Sequence, residues 1–244
     1  MKKIKNSKKK IQKKENRIYS NFIFSLKYIK EIRNYIFFSI ILFFLVILFG
    51  FLFPIFFRAE IIDYLQKIMK ETIGLSMLDL IGFIITNNIQ SAFMGMILGI
   101  FFGIGPLSII IVNAYVLGFV ANGVVGSAGF FVLWKLFPHG IFEIPAILIS
   151  VSLGLKIGIS LITDFILFYN KKIGKLMMFL MIALSIVLFL IAFPIIIVLT
   201  LFNEKLRVKL FNNIKKGFIV FIFVVVPLLV IAGIIEGSLI YLLV

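Results

Sequence analysis

The stretch LIGFIITNNIQSAFMGMILGIFFGIGP, residues 80–106, decides the fold class. Its first part, 80–102, carries no Lys, Arg, Asp or Glu and matches the roughly 20 residues that an α-helix needs to cross a bilayer. It lacks the alternation of polar and apolar residues that marks a barrel strand. Backbone amides in hydrocarbon must be satisfied within the segment, so the stretch reads as a membrane helix. Within it Gly95, Gly99 and Gly103 recur every fourth residue, which puts them on one helix face and lets a second backbone approach closely. Gly103, Gly105 and Pro106 then break the helix.

Outward from there, apolar runs of spanning length recur at 36–57, 107–125, 141–162, 176–202 and 218–244. The chain is 62% hydrophobic with a mean hydropathy of +1.20, whereas about half of a soluble domain is apolar. The expected fold is all-α: a polytopic transmembrane helix bundle of five to six spans, one integral membrane domain over 21–244. Two further ladders of small residues, Ala114, Gly118, Asn122 and Gly126, and Ser150, Gly154 and Gly158, make helix packing the expected use of these faces, with a permeation path as the alternative.

The central element is expected to be broken or re-entrant. Asn113, Asn122, Gly123, Gly126, Ser127 and Gly129 are too polar and flexible for helix facing lipid, and such backbone is tolerated at membrane depth only where protein or water surrounds it. If 107–125 spans, the loop with Lys205, Arg207, Lys209, Lys215 and Lys216 falls outside. If it is re-entrant, that loop returns to the cytoplasm, as basic loops prefer. The reading leans to five full spans plus a re-entrant element and leaves six open.

Charge is concentrated at the N-terminus. Of a formal net +15, twelve Lys or Arg lie within residues 1–35, against Glu15 and Glu31. Residues 1–20 are expected to form a disordered cytoplasmic tail, followed by a short interfacial helix over 22–33. The tail suits contact with anionic lipid headgroups of the bilayer. Nucleic acid is not expected, because no aromatic residues interleave the lysines. The run 36–57 is too long for a signal-peptide core and lacks a small-residue cleavage pattern, so it is read as a retained span in a multi-pass cell-membrane protein. Residues 58–75 form an amphipathic pattern expected to lie on the outer surface.

The polar residues inside apolar sequence are the candidate site: Asn87, Asn88, Asn113, His139, Glu143 and Glu236. His139 and Glu143 are four apart and share a face of a continuous helix. A carboxylate beside an imidazole can relay a proton or hold a cation, or it can fix a helix entry point near Pro145. Glu236 lies in the last run, where a charged centre costs about 2.5–3.5 kcal/mol, so it should face the bundle or an interface. With one histidine and no cysteine, neither a zinc site nor a disulfide is expected. The chain has no HExxH and no GxSxG serine motif, and an enzyme is not expected. No cofactor is implied.

Asn87-Asn88, Ala92-Phe93, the glycine ladder to Gly103, Asn113-Ala114 with Gly118, and Pro138-His139-Gly140-Ile141-Phe142-Glu143 with Ala146 together resemble the stage II sporulation protein M family of integral membrane proteins. Ile234-Ile235-Glu236-Gly237 is similar to that family's C-terminal acidic motif. The resemblance covers about 86–158 and implies a non-enzymatic membrane protein. The family's founding members act with peptidoglycan-degrading partners during spore engulfment, as anchor and recruiter. The resulting expectation is a scaffold that docks membrane partners or its own copies. The alternative is a small-solute or ion transporter built on the broken central helices.

Overall fold

The computed structural model describes residues 2–131, 137–173 and 189–243, and every regular element among them is a helix. In chain order these are α1 (Lys2–Glu31), α2 (Arg33–Leu52), α3 (Arg58–Thr72), α4 (Met77–Ile97), α5 (Ile104–Ala128), α6 (Phe137–Ile173), α7 (Phe189–Phe202), α8 (Glu204–Val220) and α9 (Val226–Leu243). A 3₁₀ turn, Leu98–Ile100, follows α4, and a π turn, Phe221–Val225, joins α8 to α9. Five segments are long and apolar enough to cross a membrane: Arg33–Leu52, Met77–Ile100, Ile104–Ser127, Gly140–Phe168 and Glu204–Leu242. The fold is a polytopic all-α bundle.

Local sequence sets the helix starts. Ser76 caps α4, its hydroxyl oxygen accepting from the Asp79 amide at 3.3 Å while its O–H donates to the Asp79 carboxylate at 2.6 Å. Asn203 caps α8 by accepting from the Leu206 amide at 3.3 Å. Such caps satisfy amides that the first helical turn leaves without partners.

Two expectations change. Residues 1–20 and 22–33 belong mostly to one helix, α1, which runs to Glu31. Extending a formed helix costs far less than starting one, and lysine is a good helix former, so the anchored part around Tyr28 propagates outward. The run 107–125 is also not re-entrant, since it lies within the unbroken α5. The break is confined to the turn before it, where Phe102 has φ 55° and Gly103 φ 83°. Pro106 sits in the first turn of α5, where a missing N–H loses no helical bond. The polar residues of α5 are satisfied on the spot: the Asn113 side-chain amide donates to the Ile109 carbonyl at 2.7 Å, Asn122 to Phe51 at 2.9 Å, and Ser127 to Gly123 at 3.1 Å.

The run 176–202 is described only in its second part, α7, because 174–188 lies outside the described residues. α6 and α8 are antiparallel neighbours: Lys209 meets Asp164 at 3.0 Å, and Gly217 lies against Leu153 and Ile157. The end of α6 and the start of α8 therefore lie at the same end of the bundle. The basic helix α8 lies at the end that carries α1.

α6 is the central post. On one side Ala146, Leu153, Ile157 and Leu161 pack with Ala92 and Met96 of α4 and with Val225 and Leu229 of the last span. On the other, Ile147, Leu148, Val151 and Leu155 pack with Phe43 of α2 and with Ile110 and Ala114 of α5. The first and third small-residue ladders meet each other. Cβ atoms built on Gly99, Gly154 or Gly158 would fall onto backbone of the facing helix or the turn that follows it, and the Ser150 hydroxyl donates to the Ala92 carbonyl. The second ladder serves a different partner: Gly118 lies on the Ile47 carbonyl of α2, and Gly50 of α2 on the Tyr115 carbonyl. Lipid tails give apolar helices no reason to associate, so this close van der Waals fit and the buried Ser39–Ser152 contact of 3.1 Å hold the bundle together.

Candidate functional site

At the end of the bundle opposite α1, the start of α4, the start of α6 and the end of α9 come together. Gly233 and Gly237 seat α9 against Ile85 and Ile81 of α4, and this sets the depth of Glu236. Ser150 on the Ala92 carbonyl sets the depth of α6, and Glu143 lies two turns before Ser150. The two carboxyl groups, each half-buried, interact electrostatically across the α6–α9 contact. Asn88, 9% exposed, lies one turn before Ala92 on the buried face of α4.

The six candidate residues therefore separate. Glu143 and Glu236 are near enough to interact electrostatically, and Asn88 lies on the buried face of α4. Asn87 is exposed on α4, and Asn113 spends its amide on its own helix, so neither joins them. His139 belongs to the first turn of α6, and its side chain lies outside the described ones. Two carboxyl groups that interact at one end of a bundle can share a proton or attract a small cation.

A second polar constellation escapes the sequence reading. Lys156 lies within the most buried of the five candidate spans, and with Ser160 and Asp164 it repeats every four residues on α6. Lys209, Asn213 and Lys216 repeat at similar spacing on α8, and all six line one cavity of ≈ 470 Å³ at the α1 end. The usable signal is the four-residue period of polar side chains inside an apolar run, matched by a polar stripe in a later helix. Beside this cavity Tyr28 is buried, 3% exposed. Burial first, then the nearby Glu31 and Tyr35, push its hydroxyl up to about 12, so it stays neutral next to the lysines.

The family model for stage II sporulation protein M matches residues 39–239. The chain belongs to that family. The matched region takes in both polar constellations and all five candidate spans except the first residues of α2 and the last of α9. The chain is also similar to Uncharacterized protein MJ0706 of Methanocaldococcus jannaschii, 34% identical over 134 residues, which are 51% of this chain and 57% of that protein. The aligned part thus spans a little over half of that relative's length. No solved structure matches the chain.

Proposed function

We propose that the protein is a non-enzymatic scaffold of the cell membrane, multi-pass, that docks other membrane proteins or copies of itself. The observation that carries this reading is the interlocked glycine contact between α4 and α6, repeated between α2 and α5. Backbones held this closely leave little freedom for one half of the bundle to rock against the other, which alternating access requires. A rigid post surrounded by apolar helices suits holding partners in place. The outer face of α2, with Phe37, Phe38, Phe44 and Leu45 exposed, provides an apolar surface for lipid or for a partner helix. Family membership is consistent with this role.

The orientation proposed is N-terminus cytoplasmic. The α1 end gathers α1, Lys156 and the basic α8, whereas at the other end Arg58, Lys67 and Lys70 are balanced by Glu60, Asp63 and Glu71. This is the asymmetry the positive-inside tendency produces, and it would set the lysines of α1 against anionic lipid. The scaffold reading is tested by cross-linking in native membranes followed by purification. Recovery of defined partners or homo-oligomers is expected, and a protein that is always recovered alone counts against it.

A transport reading keeps one specific observation in its favour, the electrostatic interaction of Glu143 with Glu236 inside the bundle. Ion or proton flux in proteoliposomes that disappears in Glu143→Gln would support it. Absence of flux with the wild-type protein leaves the scaffold.

A further inference from the structure

We propose that the cavity between α6 and α8 binds a phosphate-bearing anion, either the headgroup of an anionic phospholipid or free phosphate. The reasoning starts from charge. The cavity of ≈ 470 Å³ is walled by Lys156, Ser160 and Asp164 of α6 and by Lys209, Asn213 and Lys216 of α8. Asp164 takes Lys209 at 3.0 Å, so three lysines against one carboxylate leave the charge of two ammonium groups facing the space. The remaining two are Lys156 and Lys216. Each lies over an aromatic ring, Lys156 5.7 Å from the Tyr35 centroid and Lys216 5.7 Å from that of Tyr28, a distance at which ring and cation attract. Two buried-side tyrosines therefore fix two cations on the wall without neutralising them.

A lysine in an apolar span is costly and is retained where it meets water, a partner or a ligand. Lys156 meets no carboxylate among the described residues and faces this cavity. Lysine ammonium groups act on phosphate as point charges, and the Ser160 hydroxyl and Asn213 amide add neutral donors to the same wall. Asp164 and Asn213 also line a smaller cleft with Thr200. Thr200 is 1% exposed, and its hydroxyl has no hydrogen-bond partner among the described residues. The position suits a headgroup. Tyr35 stands in the first turn of α2, immediately before the apolar run, so the cavity opens at the level where the first span enters the bilayer. The site is separate from the Glu143–Glu236 pair at the other end of the bundle and does not depend on the scaffold reading.

The test uses the full chain. Purified protein is reconstituted into vesicles of phosphatidylcholine containing spin-labelled phosphatidylglycerol, and the fraction of label held at the protein is read. The wild type is expected to prefer phosphatidylglycerol over labelled phosphatidylcholine. Affinity should fall about fivefold for each lysine removed in Lys156→Gln and Lys216→Gln, and the Lys156→Arg/Lys216→Arg variant should retain the preference. Asp164→Asn, which leaves Lys209 uncompensated, should bind more tightly, and this gain does not depend on the glutamine variants folding. Lys67→Gln/Lys70→Gln, on α3 at the other end, should change nothing. In the second arm, inorganic phosphate is added in detergent at constant ionic strength. Thermal stabilisation lost in the Lys156→Gln/Lys216→Gln variant, with no phosphatidylglycerol preference, assigns the site to free phosphate. No preference in either arm, or equal losses from the α6–α8 and α3 variants, overturns the proposal.

Discussion

Gly99, in the 3₁₀ turn that follows α4, and Gly154 of α6 face each other so closely that a Cβ on Gly99 would fall on the Gly154 backbone, and one on Gly154 would meet the carbonyls of Gly95 and Met96 of α4. The contact has no flexible side chain that could swing away. Either helix must move, and α6 is the post on which both core clusters are built. Gly99→Ala and Gly154→Ala are each expected to destabilise the protein by about 1–3 kcal/mol, the usual range for overpacking. Gly126→Ala supplies the contrast, since nothing lies within 4 Å of its added methyl. Alanine there is expected to gain about 0.5–1 kcal/mol from helix propensity. Thermal aggregation in a mild detergent reads all three, and equal behaviour of Gly154→Ala and Gly126→Ala would contradict the α4–α6 contact.

Tyr115 ties the far end of α2 to α5. Its hydroxyl donates to the Phe53 carbonyl at 2.8 Å and accepts from the Phe56 amide at 3.1 Å, and Asn122 reaches the Phe51 carbonyl from one face further along. The bend 53–57 contains Phe57 at φ 53°, a conformation that costs energy for a residue with a Cβ. Tyr115→Phe keeps the ring and removes the anchor, so a loss of about 1 kcal/mol is expected. The bend should also become more open to protease. A Tyr115→Phe protein with unchanged melting and unchanged cleavage at 53–57 would show that the bend holds itself.

Much of this fold is legible in the sequence, for particular reasons. Small residues every fourth position within hydrocarbon serve close helix approach, and the ladders at Gly95, Gly99 and Gly103 and at Ser150, Gly154 and Gly158 do so. Which ladder meets which is not written in the spacing, and Gly118 turns to α2 instead. The reading of 107–125 as re-entrant fails because the run is as long and apolar as the other spans. The polar residues of 107–125 suggest water or irregular backbone only until Asn113, Asn122 and Ser127 are seen bonding to carbonyls. At the site, the convergence of Glu143 with Glu236 depends on the register of α9 against α4, which Gly233 and Gly237 fix and no local pattern reveals. Lys156 is overlooked because a single lysine in an apolar run carries meaning only beside its stripe-mates Ser160 and Asp164.

The Lys209–Asp164 pair lies at the surface of this cavity, with side chains 58% and 25% exposed. Exposed pairs are worth about 0–1 kcal/mol and weaken as salt screens them. Asp164→Asn is therefore expected to shift thermal stability by no more than that amount, with the difference shrinking in high salt. A large loss would mean that Asp164 holds α6 to α8 structurally.

The route of the chain through the bilayer yields the sharpest test. Because the sequence has no cysteine, single substitutions report position cleanly. Lys67 on α3 lies at one end of the bundle, and Lys209 on α8 at the other beside Asp164. With α1 cytoplasmic, Lys67→Cys should react with a membrane-impermeant maleimide in intact cells, whereas Lys209→Cys should react only after the membrane is opened. Both positions are exposed, so failure to label reflects side rather than burial. Labelling of Lys209→Cys from outside together with Lys67→Cys would require 176–202 to cross outright and would break the antiparallel pairing of α6 with α8. Labelling of Lys209→Cys alone would keep the bundle and invert its orientation.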